Sequence, residues 1–164
     1  MQIRDRMNNL RQLSESATDP AEYFQEMLAT VVFILSARGG AIWTRGGEGL
    51  HLQCTTGIGD EAISERHLFE PSHRRLLEKS FSEGASSAIQ ASRDAKPTEN
   101  NGNPTDLLLL LCPVKKKSQA VALVEIFQRT ACSTTVQRGC MTFLQQMCYL
   151  AGDSTVIGDR NAAG

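Results

Sequence analysis

The chain has 164 residues, of which 41% are apolar and 21% charged, with a formal net charge of -1. That length and balance suit one globular domain with a usable core and no bias towards disorder. The near-neutral charge lacks the basic excess of a nucleic-acid binder. The short runs His73-Arg74-Arg75 and Lys115-Lys116-Lys117 read as solvated faces or turns.

The N-terminus, Met1-Gln2-Ile3-Arg4-Asp5-Arg6, has no apolar run behind it. No signal peptide or bilayer-spanning stretch is therefore expected, and a cytoplasmic location is. The five cysteines (Cys54, Cys112, Cys132, Cys140, Cys148) are odd in number and scattered, which argues for reduced thiols over a disulfide framework.

Residues 3 to 14 predict a short polar helix with Ile3, Met7 and Leu10 along one stripe. Too short to persist alone in water, it must pack on the domain or on a second copy. A second helix begins after Asp19, a capping residue, with Pro20 at its first position and Glu22 placed to complete a capping box. Phe24, Met27, Leu28, Val31, Ile34 and Leu35 form its apolar side, and Gly39-Gly40 is expected to end it.

Ala41 to Arg45 and Leu50 to Thr55 predict a hairpin turning at Gly46 to Gly49. Gly57 to Phe69 lacks clean periodicity and suits a short helix and loop. Pro71 to Phe81 predicts a helix with Leu76, Leu77 and Phe81 inward and Gly84 beyond its end. After a short strand, Ser87 to Ala91, the polar segment Ser92 to Thr105 is expected to be a mobile loop gating any pocket.

Leu107 to Val114 and Ala120 to Gln128 are the strongest strands, joined by a turn at Lys115 to Ser118. Leu107, Leu109 and Leu111 alternate with Leu108, Leu110 and Cys112, so this strand should be central and covered on both sides. A last helix starts near Ser133 or Thr134, with an inner stripe of Val136, Cys140, Phe143, Leu144, Met147 and Leu150. Three regions follow: residues 1–18, an N-terminal helix suited to dimerisation; 19–152, the domain; and 153–164, a polar tail or linker.

Chemistry-bearing motifs are sparse. His51 and Cys54 are three apart on a strand and point to opposite faces, so no metal site is expected. Cys112, Cys140 and Cys54 fall on apolar faces, where cysteine packs as a small hydrophobe. Gly57-Ile58-Gly59-Asp60 lacks the further glycine and lysine of a phosphate loop. Trp43, at the start of a strand, reads as core.

The stretch Leu110-Leu111-Cys112-Pro113-Val114, the charged turn, then Ala120-Val121-Ala122-Leu123-Val124-Glu125-Ile126 resembles the GAF domain family, as does Gly39-Gly40-Ala41-Ile42-Trp43 after a long helix. The resemblance covers roughly residues 20 to 152. It implies an α+β fold: an antiparallel sheet of five or six strands, terminal helices on one face, and a pocket covered by loop and helix on the other. PAS and roadblock-like domains share related architectures.

The chromophore-bearing branch carries a cysteine beside a histidine, and Gly57 to Thr105 has no cysteine. The branch that reduces free methionine sulfoxide also has its cysteines in the pocket loops. Neither catalysis nor a cofactor is expected. His67, His73, Arg74 and Arg93 border the expected pocket and could receive an anionic ligand; the plainer reading is a solvated helix end. The expectation is thus a non-catalytic regulatory module. It would bind a small ligand, dimerise through its terminal helices and control an output domain. The alternative is a degenerate domain that only dimerises or docks.

Overall fold

The computed structural model describes residues 2–16, 19–91 and 101–158. In chain order they form α1 (Ile3–Glu15), α2 (Pro20–Ile34), β1 (Gly39–Gly46), β2 (Gly49–Thr56), α3 (Glu65–Leu68), α4 (Pro71–Glu83), β3 (Ser87–Ile89), β4 (Leu108–Lys116), β5 (Gln119–Gln128) and α5 (Thr134–Asp153). The strands make one antiparallel sheet in the order β2-β1-β5-β4-β3. No helix among the described residues is long and apolar enough to cross a membrane.

Local chemistry accounts for most boundaries. Asp19 caps α2 by accepting from the Ala21 N–H at 3.1 Å, with Pro20 behind it where a missing N–H costs nothing. Both hairpins turn through two residues, Gly47-Glu48 and Lys117-Ser118, so the strands run further than the sequence suggests. Lys117 and Ser118 take φ of 53° and 68°, which matches the strand twist of a tight hairpin.

One expectation needs correcting. Gly39 and Gly40 do not end α2; they open β1, and the turn out of the helix is made at Ser36, with φ 50°. Glycine is required at position 40 for closeness instead. A Cβ there would lie 2.8 Å from the Glu125 carbonyl oxygen and 2.9 Å from Leu28 Cδ1, between β5 and α2.

The sheet is buried on both sides, as the alternation in β4 predicts. On one face, Leu110, Cys112, Val124 and Ile126 pack against Phe24, Met27, Leu28 and Val31 of α2 and Leu144, Met147 and Cys148 of α5. On the other, Trp43, Leu109, Leu111, Leu123 and Phe127 meet Ile63, Leu68, Leu77 and Phe81 from α3, α4 and the loop before them. Each face removes hydrocarbon from water, worth about 25 cal/mol per Å² buried.

α5 is capped by Ser133, whose Oγ accepts from the Val136 N–H at 3.2 Å. The middle of its predicted stripe is buried, but Val136 and Leu150 are each 51% exposed. At the C-terminal end Cys148, Ala151 and Gly152 face inward instead. A Cβ on Gly152 would sit 2.0 Å from the Lys115 carbonyl oxygen, so the end of the helix presses directly on the β4 backbone.

α1 packs on the domain itself: Leu10 is buried, and Met7 and Leu13 join the same core. The chain beyond α5 returns beneath it. The hydroxyls of Ser154 and Thr155 donate to the Ser14 carbonyl at 3.2 and 3.3 Å, and Val156 and Ile157 are buried.

Candidate functional site

The face covered by α3 and α4 is where the sequence places a pocket. At its centre stands a buried polar network. Glu125 follows Leu123 and precedes Phe127 on the inward side of β5, and it has no solvent exposure. Its Oε1 accepts from Trp43 Nε1 at 3.0 Å and its Oε2 from His73 Nε2 at 2.5 Å. His73, in the first turn of α4, is also fully buried and donates from Nδ1 to the Leu68 carbonyl at 2.9 Å.

The Leu68 carbonyl can only accept, so Nδ1 of His73 carries a proton, and the Glu125 carboxyl group beside Nε2 favours the doubly protonated ring. Burial alone would discharge it. The Glu125 carboxylate and its hydrogen bond outweigh that and hold His73 above its ordinary value of 6.5. The folded value therefore lies above the unfolded one, so the stabilisation is complete below a pH of about 6.5 and is lost as pH rises through the raised value. Urea midpoints followed upward from neutral pH should fall in the wild-type chain, and His73→Gln should lack that part of the slope.

Three of the four residues read from the sequence as ligand contacts, His67, His73 and Arg74, are described, and each has a hydrogen-bond partner within the chain. His73 is inside, with both nitrogens engaged. Arg74 is half-buried; its Nη2 donates to the Leu50 carbonyl at 2.6 Å and its guanidinium lies over the Trp43 ring at 5.1 Å. Arg93 lies outside the described residues. His67 accepts from the Ser64 N–H at Nδ1, 3.1 Å, fastening the turn that starts α3.

His67 also lines an open cleft of about 650 Å³ at the rim of this face, with Arg38, Asp60, Glu61, Thr105 and Asp106. Arg38 pairs there with Asp60 at 3.3 Å. The Asp60 carboxylate is held below its usual value first by the Ile63 N–H, then by Ala62 and Arg38. Among the described residues no three His, Cys, Asp or Glu side chains converge to hold a metal ion.

The expected gate loop is fastened where it is described. Asn103, 3% exposed, donates to the carbonyls of Ile89, Gln90 and Leu107 and accepts from the Thr105 N–H and hydroxyl. Residues 101–105 are thus a buried clasp between β3 and β4; the rest of the loop, 92–100, lies outside the described residues.

Glu125 escapes a reading of the sequence that looks only for clusters near loops. Its signal is a charge in phase with the core positions of an otherwise apolar strand, which demands a buried partner.

A five-stranded sheet in this order, with its first and last helices on one face and a short helical cover on the other, defines a class of α+β domain. The chain has the GAF-domain fold. It is similar to the A. aeolicus Nlh2 GAF domain in an inactive state, at 14% identity over 92% of this chain and 93% of that one, with a TM-score of 0.65. It is also similar to residues 122 to 287 of a methyl-accepting chemotaxis protein, at 12% identity over 91% and 94%, TM-score 0.63. A third is the GAF domain of an Acinetobacter phosphoenolpyruvate-protein phosphotransferase, at 17% over 98% and 95%, TM-score 0.63. No protein-family model and no curated protein matches by sequence.

Proposed function

We propose that this chain is a non-catalytic regulatory module that works through its helical face, as a homodimer coupled to an output domain of a longer protein. The observation that carries this reading is the filled interior beneath α3 and α4. Trp43, Leu50, Leu68, Leu77 and Phe127, each no more than 1% exposed, close around the His73–Glu125 pair. The Glu125 carboxylate and both His73 imidazole nitrogens are taken up by partners within the network, which leaves neither of these two groups free to act as a base.

The helical side, by contrast, presents Ile3, Phe33, Val136, Tyr149 and Leu150 to solvent. Such residues on terminal helices suit a twofold interface. The fold's occurrence in a chemotaxis protein and a phosphotransferase supports a regulatory role. Light scattering on the purified chain should give twice the chain mass, and Tyr149→Ser with Leu150→Glu should halve it. A monomer at high micromolar concentration would count against the reading.

A second reading, a small-molecule sensor in the cytoplasm, is favoured by the rim cleft with Arg38 and His67. Native mass spectrometry separates the two. A bound species lost in Arg38→Ala would establish the sensor; a ligand-free dimer supports docking alone.

A further inference from the structure

Two cysteines meet on the helical side of the sheet. Cys112 lies on β4 and Cys148 on α5, both in the core beneath the helices, and Cys148 Sγ stands 3.8 Å from the Cys112 carbonyl oxygen. Cys112 Sγ in turn stands 3.7 Å from the Pro113 carbonyl oxygen, so both thiols face the same stretch of β4 backbone.

Their burial is not complete isolation. β3 has only three residues and its ladder ends at the Ser87–Leu111 pair, so β4 from Cys112 onward has no β3 residue beside it. The gap is a surface pocket of about 230 Å³, bordered by both cysteines together with Ser86, Lys115, Gln145 and Tyr149.

We propose that Cys112 and Cys148 are a redox-active dithiol, in which a hydroperoxide oxidises Cys112 and Cys148 then closes a disulfide joining β4 to α5. The pocket that both residues border is large enough to admit a molecule as small as hydrogen peroxide. The Cys112 thiolate attacks one peroxide oxygen, the O–O bond breaks, and the departing oxygen leaves as water after taking up protons. Cys112 is then a sulfenic acid. Cys148 loses its proton and attacks that sulfur; the S–O bond breaks and a second water leaves. Two thiols and one hydroperoxide thus give one disulfide and two oxygen-containing products, water and the reduced peroxide.

The environments of the two groups differ in the sense this order needs. The nearness of Cys148 lowers the Cys112 thiol despite its burial, and the Lys115 charge adds to that. Cys148 is pushed up by burial, so it stays protonated until a sulfenic acid stands beside it. Cys54 and Cys140, by contrast, are both raised by burial.

This site is independent of the regulatory reading above and would survive its failure. If that reading holds, the bond would pin the helix whose last turn already rests on Lys115.

The test treats the purified full chain with hydrogen peroxide near stoichiometry, followed by thiol counting and peptide mapping. Two of the five thiols should be lost. One cross-linked pair containing Cys112 and Cys148 should appear, and dithiothreitol should restore both thiols. In Cys148→Ser, oxidation should stop at a sulfenic acid on Cys112, captured by dimedone, with one thiol lost instead of two. Cys112→Ser should slow thiol loss at least about tenfold. A cross-link between other cysteines, or Cys112 and Cys148 remaining reduced while Cys54 or Cys132 oxidises, overturns the proposal. The wild-type map decides the matter even if a variant fails to fold.

Discussion

Glu125→Ala should destabilise the domain by about 3–5 kcal/mol, the cost of removing one partner of a buried ion pair and leaving the other charged. The loss has two parts. His73 keeps its place between Leu68 and the sheet with no anion to face, and it must discharge or draw in water. Trp43 Nε1 loses its acceptor, an unsatisfied buried donor worth about 1–3 kcal/mol. Glu125→Gln should cost less, since an amide oxygen can still accept from one of the two. Trp43 is the chain's only tryptophan, so urea unfolding followed by its emission reads the damage at the site itself. A loss below about 1 kcal/mol in Glu125→Ala would show that the network contributes little and that water replaces it.

Leu109→Ala and Leu110→Ala should each cost about 2–5 kcal/mol, because both leucines are fully buried in a strand with neighbours on either edge. They empty into different places. Leu109 belongs to the core around Trp43 and Phe127, Leu110 to the core beneath α2 and α5. Loss in both variants verifies that β4 carries two independent cores. An undetectable shift of the urea midpoint in either one would mean that the corresponding face is open to solvent. Since the Trp43 environment is on the Leu109 side, native-state emission should change in that variant and stay constant in Leu110→Ala.

The strands and helices were legible wherever the pattern is local. In β4 both parities of the alternation are apolar, which no single-sided strand needs, and the two buried faces follow. Asp19 with Pro20 and Ser133 before Thr134 mark helix starts because a cap acts within three residues. The family resemblance drawn from Leu110 to Val114 and the strand after it led to the right fold.

Errors arose where a residue's role depends on something distant. Gly39 and Gly40 look like a helix stop, but the need for glycine at position 40 comes from β5, some eighty residues later. Leu150 fits a helical stripe on paper. It is exposed because the end of α5 is drawn onto Lys115, a contact that depends on how the helix lies across the sheet.

The site shows the same division. His73 was visible as an ionisable group near the covered face, and Arg74 and His67 with it. Its partner, Glu125, is 52 residues away, and nothing local to either says that they meet. The sequence by itself determined the order of elements, the two-faced sheet and the class of fold, because periodicity, caps and turns act over a few residues. Only the tertiary structure decided that the space beneath α3 and α4 is filled, that His73 meets Glu125 inside it, and that Cys112 lies opposite Cys148. Each of these depends on side chains from separate segments arriving at one point, and burial and pairing energies exist only once they have.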